Sequence, residues 1–282
     1  MVKAEESEME QRCRSEQAKI ETKSEAFGRS QGMESYKDEI VLLQVNNWQT
    51  ADKKAVCFSR NHGKIVFMAY GARYPKSVSG RLLQPFACLE AELYPGSRVD
   101  KLKSCQLAAP MPQLELEQMA YGFLMTEMTE RLTEQAEPSE ALYLLLRRAL
   151  QLLVKRNPRV VTMAFLIQLL DHCGIGPVYE VCVNCSRPAE GDGWFSEMQG
   201  GFVCGACCAG QGKPQGLLPF REETRRLWLQ LRMLDLEEPE HFSVKGGALM
   251  ELEQILHRYL VYQTEQPIRS LEFLRQIAGG KA

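Results

Sequence analysis

The chain has 282 residues, 45% of them hydrophobic and 25% charged, which is the composition of an ordinary globular protein with room for two domains. No apolar run approaches the roughly 18 residues of a membrane helix, and the acid-rich Met1–Glu10 stretch reads against a signal peptide, so a cytoplasmic protein is expected. The net charge of −2 averages two unlike parts: Glu34 to Gln106 carries eleven Lys/Arg against seven Asp/Glu, and the remainder is acidic.

Residues 1–33 are polar, charged and unpatterned. They hold too little apolar surface to offset chain entropy, which predicts a disordered extension or, in part, a short solvated helix. Ordered patterning starts directly after Met33, which makes that residue a candidate functional start.

Strand signals follow from 34 to 108. Apolar runs occur at Glu39–Val45, Lys54–Ser59 and Lys64–Tyr70, with Asn61-His62-Gly63 supplying hairpin chemistry before the third. Leu83–Leu93 and Arg98–Cys105 are the fourth and fifth, separated by a turn at Tyr94–Ser97. Five short strands punctuated by Gly and Pro predict a small barrel, and periodicity does not choose between an OB-fold and an SH3-like one.

Pro110-Met111-Pro112 marks a boundary, after which 109–282 reads as an all-α domain. Leu114, Tyr121, Leu124, Met125, Met128 and Leu132 recur at helical steps. A second helix is predicted from Glu137-Pro138-Ser139 to about Arg156. Asn157-Pro158 opens a third, with a capping side chain and a first-turn proline, ending at Gly174. Three more are predicted at Glu222–Leu234, Gly247–Tyr262 and Ile268–Ile277.

A Gly- and Cys-rich insert, placed at 178–212, interrupts the helices. It carries Cys182-Val-Asn-Cys185 and Cys204-Gly-Ala-Cys207 with eighteen residues between the pairs. That spacing is the signature of a four-cysteine zinc site, in which each C-x-x-C knuckle presents two thiolates to one ion. The Gly191–Val203 interval predicts a hairpin that folds the second knuckle onto the first. A closed four-sulfur site is structural, because no position is left for substrate. Cys208 leaves the fourth ligand open between itself and Cys207, while Cys13, Cys57, Cys88, Cys105 and Cys173 lack ligand spacing. Thiol–disulfide chemistry is disfavoured, because no βαβ pattern accompanies the pairs.

Two basic stretches are candidate interfaces. Gly71–Arg81 offers Arg73, Tyr74, Lys76 and Arg81 with no acid, and Lys53, Lys54, Arg60 and Lys64 lie on the neighbouring hairpin. Cations that track phosphates and flat rings that stack on bases are what single-stranded DNA binders need. Trp48 and Phe58 are candidate platforms; the plainer reading is a solvated loop and a core Phe58. The second stretch, Arg147, Arg148, Lys155, Arg156 and Arg159, interleaves cations with leucines. It reads as a core helix with a solvated face, or as a site for an acidic peptide ending in an apolar residue or for DNA phosphates.

Signals for an enzyme are missing. His62, His172, His241 and His257 form no metal-catalytic spacing, and neither a phosphate-binding glycine–lysine loop nor a G-x-S-x-G elbow occurs. Glu222/Glu223 and Glu251/Glu253 read as helix faces.

The order of these features resembles the bacterial RecO recombination-mediator family. The resemblance covers Asp38 to about Ile277. It is carried by Ala69-Tyr-Gly-Ala-Arg-Tyr-Pro-Lys-Ser77, Leu83-Gln-Pro-Phe86, the insert with Cys182-Val-Asn-Cys185-Ser-Arg-Pro188, Phe195-Ser196, Gly200-Gly201 and Cys204-Gly-Ala-Cys207, and Arg269-Ser-Leu-Glu-Phe-Leu274. It implies an α+β protein with an N-terminal five-stranded OB-fold and a helical domain holding one structural Zn2+. It further implies a non-enzymatic function: binding single- and double-stranded DNA, annealing complementary strands, and helping RecA load during repair. The implied partners are RecR and the acidic C-terminal tail of single-strand-binding protein. Arg73, Lys76 and Arg81 match the family's basic loop, and the cysteine pairs match its zinc positions. The leader, Cys208 and Tyr74 depart from the family pattern. The competing reading is an interaction scaffold, or a nucleic-acid-binding factor outside recombination.

Overall fold

The computed structural model describes residues 34–208, 216–237 and 244–279. The stretch expected to be disordered, Met33, Cys13 and His241 lie outside them. Strands β1 (Tyr36–Trp48), β2 (Asp52–Ser59), β3 (Gly63–Ala69), β4 (Cys88–Tyr94) and β5 (Asp100–Leu107) close a barrel in the order β1-β2-β3-β5-β4. Closure depends on the length of β1. Its first half pairs with β4, from Tyr36↔Leu93 to Val41↔Cys88, and Ile40 to Trp48 pair with β2 across a register shift between Leu42 and Gln44. A short parallel contact of β3 with β5, Phe67↔Asp100 and Met68↔Lys101, completes an OB-like ring.

Ile40, Val41, Leu42 and Leu43 are all buried, although successive strand residues point to opposite faces. Ile40 and Leu42 fill the barrel with Ala55, Cys57, Phe67, Leu89 and Leu93. Val41 and Leu43 point outward and pack with Phe58, Leu124, Met128 and Tyr143 in the helical core. A strand wetted on one face alternates, whereas one covered on both faces reads as a continuous apolar run.

The fourth strand is shorter than its sequence pattern. Val78–Leu82 forms a short helix, α1, whose N-cap Ser77 accepts a hydrogen bond from the Gly80 N–H, and Leu83–Ala87 is a turn. Pro85 cannot donate to a ladder, so pairing waits until Cys88. Within the turn, Phe86 N donates to Leu42 O and Leu42 N to Ala87 O, both at 3.0 Å. Phe86 takes a left-handed φ of 69°, a strained conformation for a bulky residue. Its ring lies 4.9 Å from that of Phe123, over Gly122, where an added Cβ would come within 3.1 Å of it.

The helical part comprises α2 (Leu116–Leu132), α3 (Glu140–Leu152), α4 (Pro158–His172) and, after the insert, three further helices. Asn157 caps α4 by accepting from Arg159 and Val160 N–H groups, with Pro158 in the first turn. α4 is buried along Val161–Leu170 save for Gln168 and is the central helix of the core. α3 stops at Leu152, short of Arg156: the Lys155 and Arg156 N–H groups both turn back to Leu152 O at 2.9 Å. The insert holds β6 (Gly193–Ser196), β7 (Gly201–Cys204), the one-turn α5 (Gly205–Cys208) and β8 (Leu218–Phe220), in a sheet of order β7-β6-β8. α6 (Glu222–Arg232), α7 (Gly246–Thr264) and α8 (Arg269–Gly279) follow. Glu127 of α2 receives the Ser270 N–H at 2.8 Å and the Arg269 N–H at 3.1 Å, so it caps α8.

The β2–β3 hairpin docks directly on the helices. The Lys64 ammonium donates to Glu130 O at 2.6 Å and to Thr133 O, closing carbonyls that the end of α2 leaves unpaired. At Gly63, φ is 69° and an added Cβ would lie 2.0 Å from Glu137 O. Buried Asp38 organises the same turn, accepting from Ser59 Oγ, from Asn61 Nδ2 at 2.8 Å and from His62 Nδ1 at 2.7 Å. Gly63→Ala is therefore expected to lower the unfolding free energy by roughly 2 kcal/mol or more, from backbone strain plus the clash. Denaturant titration checks this; unchanged stability would show that the hairpin can lift off α2 at no cost.

Candidate metal centre and nucleic-acid interface

The insert gathers its cysteines by backbone geometry. In the first knuckle, Cys182 N donates to Arg187 O and Ser186 N to Cys182 O, both at 2.8 Å, with Ser186 at a left-handed φ of 57°. The predicted hairpin pairs Gly193↔Cys204 through Ser196↔Gly201 and carries Cys204 and Cys207 back to the first pair. Strand β8, which the sequence pattern did not reveal, pairs with the other edge of β6.

The four sulfurs of Cys182, Cys185, Cys204 and Cys207 lie within 4.8 Å of one another, the only such group among the described residues. Cys182 and Cys207 sulfurs are 3.9 Å apart, and Cys185 and Cys204 sulfurs 3.7 Å. A tetrahedron of thiolates about 2.3 Å from a central ion has edges of about 3.8 Å. A disulfide would need about 2.05 Å. The spacing fits four ligands around one metal ion. Cys182 Sγ accepts from the Cys204 N–H, and Cys185 Sγ from Arg187 Nε, both at 3.3 Å. The Arg187 guanidinium leads in pushing the Cys185 thiol down to about 6, favouring the thiolate that a metal requires. Cys208 is buried and stands outside the set, so Cys207 completes it.

Arg225, which sequence reasoning missed, anchors this module to the helices. It is buried, lies 4.3 Å from the Phe202 ring centroid, and donates to Phe220 O (3.0 Å), Gly191 O (2.6 Å) and Ala189 O (3.2 Å). A signal existed: Arg225 shares the inward face of α6 with Trp228, three residues on. Arg232, at the other end of α6, joins Asp171 of α4 (2.6 Å) to the Tyr179 hydroxyl at the start of the insert (2.7 Å). Glu251 caps α6, accepting from Arg221 N (2.8 Å) and Thr224 Oγ1 (2.7 Å), which gives it a structural task. Glu253 pairs with Arg159, and Glu222 and Glu223 pair with Arg226 and Lys245.

The barrel's cations divide into two groups. At one end, the 71–82 segment is tied to the β1–β2 turn: Gly71 N donates to Asp52 Oδ1, Arg73 N to Ala51 O and Arg73 Nη1 to Gln49 O, each at 2.8 Å. Arg73, Tyr74, Lys76 and Arg81 are exposed there, and Lys54 lies 5.5 Å over the Trp48 ring. Asp52 is the one acid between Glu39 and Glu90 in the sequence, against seven Lys/Arg. Three more cations of the barrel bond elsewhere. Lys53 Nζ donates to Gly80 O (2.7 Å) and Leu83 O (3.1 Å), and desolvation lowers its pKa. Lys64 holds α2, and Arg60 pairs with Glu140 at 2.5 Å. Phe58 belongs to the helical core, so of the two candidate platforms only Trp48 is exposed.

The second basic stretch is likewise divided. Arg147 bonds Glu39 of β1 at 3.1 Å, and Arg148 pairs with Glu237 at 2.5 Å. Lys155 is exposed and Arg156 half-buried at the turn after α3. Arg148 borders a groove lined by Leu144, Leu145, Met233, Leu236 and Arg232. The described histidines sit apart: His62 on Asp38, His172 on Ser139 (2.9 Å), and His257 in the core, where desolvation pushes it down to about 4. No helix among the described residues is long and apolar enough to cross a membrane.

Two family models match. Recombination protein O N terminal covers residues 33–111, and Recombination protein O C terminal covers 113–272. The chain is 30% identical to the DNA repair protein RecO of Pelotomaculum thermopropionicum over 86% of this chain and 94% of the relative. It is also 30% identical to that of Symbiobacterium thermophilum, over 86% and 97%. For the RecO of Bacillus subtilis the identity is 27%, over 87% and 96%.

The sulfur geometry distinguishes Cys207 from its neighbour. Cys207→Ser is expected to abolish stoichiometric metal in the purified protein, and Cys208→Ser to leave one ion per chain, measured by elemental analysis. The reverse pattern would move the fourth ligand by one residue.

Proposed function

The chain belongs to the Recombination protein O family of DNA repair proteins, and from that premise we propose that it is a non-enzymatic recombination mediator. It binds single- and double-stranded DNA, anneals complementary strands, and helps load RecA onto strands coated by single-strand-binding protein. The observation that carries this reading is the solvent-facing barrel end, where Arg73, Lys76 and Arg81 are exposed and Lys54 half-buried, with Asp52 the one acid between Glu39 and Glu90 in the sequence. Residues 34–108 are the strand-binding unit, with Arg73, Lys76 and Arg81 as leading phosphate contacts and Lys54 and Tyr74 beside them. Lys53 supports that surface by holding Gly80 and Leu83, while Arg60 and Lys64 bond to the helices at the other end of the barrel.

Annealing needs no covalent chemistry. Cations reduce the repulsion between two phosphate backbones, and released counterions add entropy. The barrel holds one strand, and a cationic helical face admits the second. The residues of 109–282 serve partners, RecR among them. The acidic, apolar-ended tail of single-strand-binding protein is assigned to the stretch with Arg147, Arg148, Lys155 and Arg156; beside Arg148 runs a groove lined by Leu144, Leu145 and Leu236, where the tail would displace Glu237 from Arg148. The ion that the thiolate set fits is Zn2+, held by Cys182, Cys185, Cys204 and Cys207 as a clamp on the insert. Such a protein works in the cytoplasm, on the nucleoid during repair.

Single-strand affinity is expected to fall with salt at a log–log slope of about −0.7 per phosphate contacted, and Arg73→Ala with Lys76→Ala to flatten it by about 1.4. That double variant is expected to anneal more slowly with unchanged metal content and melting temperature. Annealing at the wild-type rate would remove the loop from the mechanism. A chelator is expected to unfold the insert and leave barrel binding to DNA intact, because metal binding and local folding are coupled. Limited proteolysis that spares the insert after chelation would count against a structural ion.

A further inference from the structure

We propose that the barrel end carries a base-stacking platform of Trp48, Tyr70 and Tyr74 that selects unpaired strands and releases them once paired. This rests on the DNA-binding reading above and adds a discrimination that cations cannot supply. Large aromatic side chains are normally buried, yet these three are 46%, 60% and 50% exposed.

Strand alternation sets two of the rings on one face. Val45, Ala55, Phe67 and Ala69 point into the barrel, so Trp48, Lys54 and Tyr70 point out of it. Trp48 stands opposite Asp52 at the end of the β1–β2 ladder, and Tyr70 follows directly on the Lys53↔Ala69 pair. Trp48 and Tyr70 thus flank Asp52 across neighbouring strands. The third ring is seated by the loop: Gly71 has a left-handed φ of 65°, and an added Cβ there would meet the Tyr74 ring at 3.3 Å. The Asp52, Ala51 and Gln49 bonds to Gly71 and Arg73 hold the loop in place, so the rings are presented without an ordering cost at binding.

The cations sit among the rings. Lys54 lies over Trp48, and Arg73 and Lys76 bracket Tyr74. Asp52, which holds the Gly71 N–H, is the one acid placed among them by the sequence between Glu39 and Glu90. Alternating rings and cations fit a ligand that alternates flat bases and phosphates. In a duplex each base face is already covered by its neighbours, so the rings have nothing to stack on and only the cations act. An unpaired strand engages both. When a complement pairs with the bound strand, its bases stack on one another and leave the rings, and the product is held by charge alone.

The test uses the full chain with an unpaired oligothymidylate and a blunt duplex of equal length. Trp228 is fully buried and Trp194 half-buried in the insert, so Trp48 is the fluorophore that DNA can reach; Trp48→Phe supplies the background. Oligothymidylate is expected to quench the wild type and not Trp48→Phe, and a complementary strand to restore the signal. Replacing Trp48, Tyr70 and Tyr74 by Ala is expected to weaken oligothymidylate binding about tenfold or more, as loss of stacking at even one base costs about fivefold or more. Duplex affinity and the salt slope are expected to hold, because no charge is removed, and all three side chains are exposed enough for the melting temperature to hold as well. Equal losses for single strand and duplex, or no loss for either, would overturn the platform while leaving DNA binding standing. Wild-type protein that binds neither form would end both readings. Loss of RecR capture with DNA binding untouched would make the rings a protein-docking surface and overturn the proposal.

Discussion

The architecture depends on one wall having two cores. β1 contributes Ile40 and Leu42 to the barrel interior, and Val41 and Leu43 to the core of the helices. Apolar burial is non-directional and is worth about 1.5–3 kcal/mol for each large side chain fully removed from water. What gives the join its direction is polar and steric: the Lys64 ammonium on the end of α2, Gly63 against Glu137, and Phe86 over Gly122. These contacts fix the end of the barrel that faces the helices. The opposite end, with the β1–β2 turn and the 71–82 segment, is thereby left to solvent.

The cysteine module is attached by a different logic. It is too small to build a large core of its own, so Phe195, Phe202 and Phe220 join the helical core. Arg225 then replaces the water that its guanidinium has lost with three backbone carbonyls, and stacks on Phe202. A buried cation held by three directed hydrogen bonds restricts how the surfaces can meet more than an apolar residue would. α6 therefore connects the insert at Arg225, the cap at Glu251 and the α4 surface at Arg232.

Much of this was legible in the sequence, because the relevant signals are local. The apolar runs and the Gly–Pro punctuation gave a five-stranded barrel, Asn157-Pro158 marked the start of α4, and paired C-x-x-C spacing gave the sulfur cluster. Long-range facts were not legible. Leu83–Ala87 has strand composition, yet the need of Phe86 to reach over Gly122 keeps it a turn. Lys53, Arg60 and Lys64 resemble Arg73 and Lys76 as residue types, and only the fold shows that their charges are directed to Gly80, Glu140 and α2. Which cysteine completes the cluster followed from the α5 turn, which brings Cys207 and not Cys208 to the other three sulfurs. Tyr70 ends an apolar run, and nothing local marks it as exposed.

The seam at Phe86 has a consequence for anyone dividing the protein. Cutting the chain after Leu107 would strip the outer wall of the barrel and wet Val41, Leu43, Phe58 and Phe86 together. A fragment ending there would carry a contiguous greasy strip on a small body, the kind of surface that self-associates. Such a truncation would report on its own stickiness as much as on strand capture, so the smallest trustworthy unit for measuring oligonucleotide affinity retains α2 and α4.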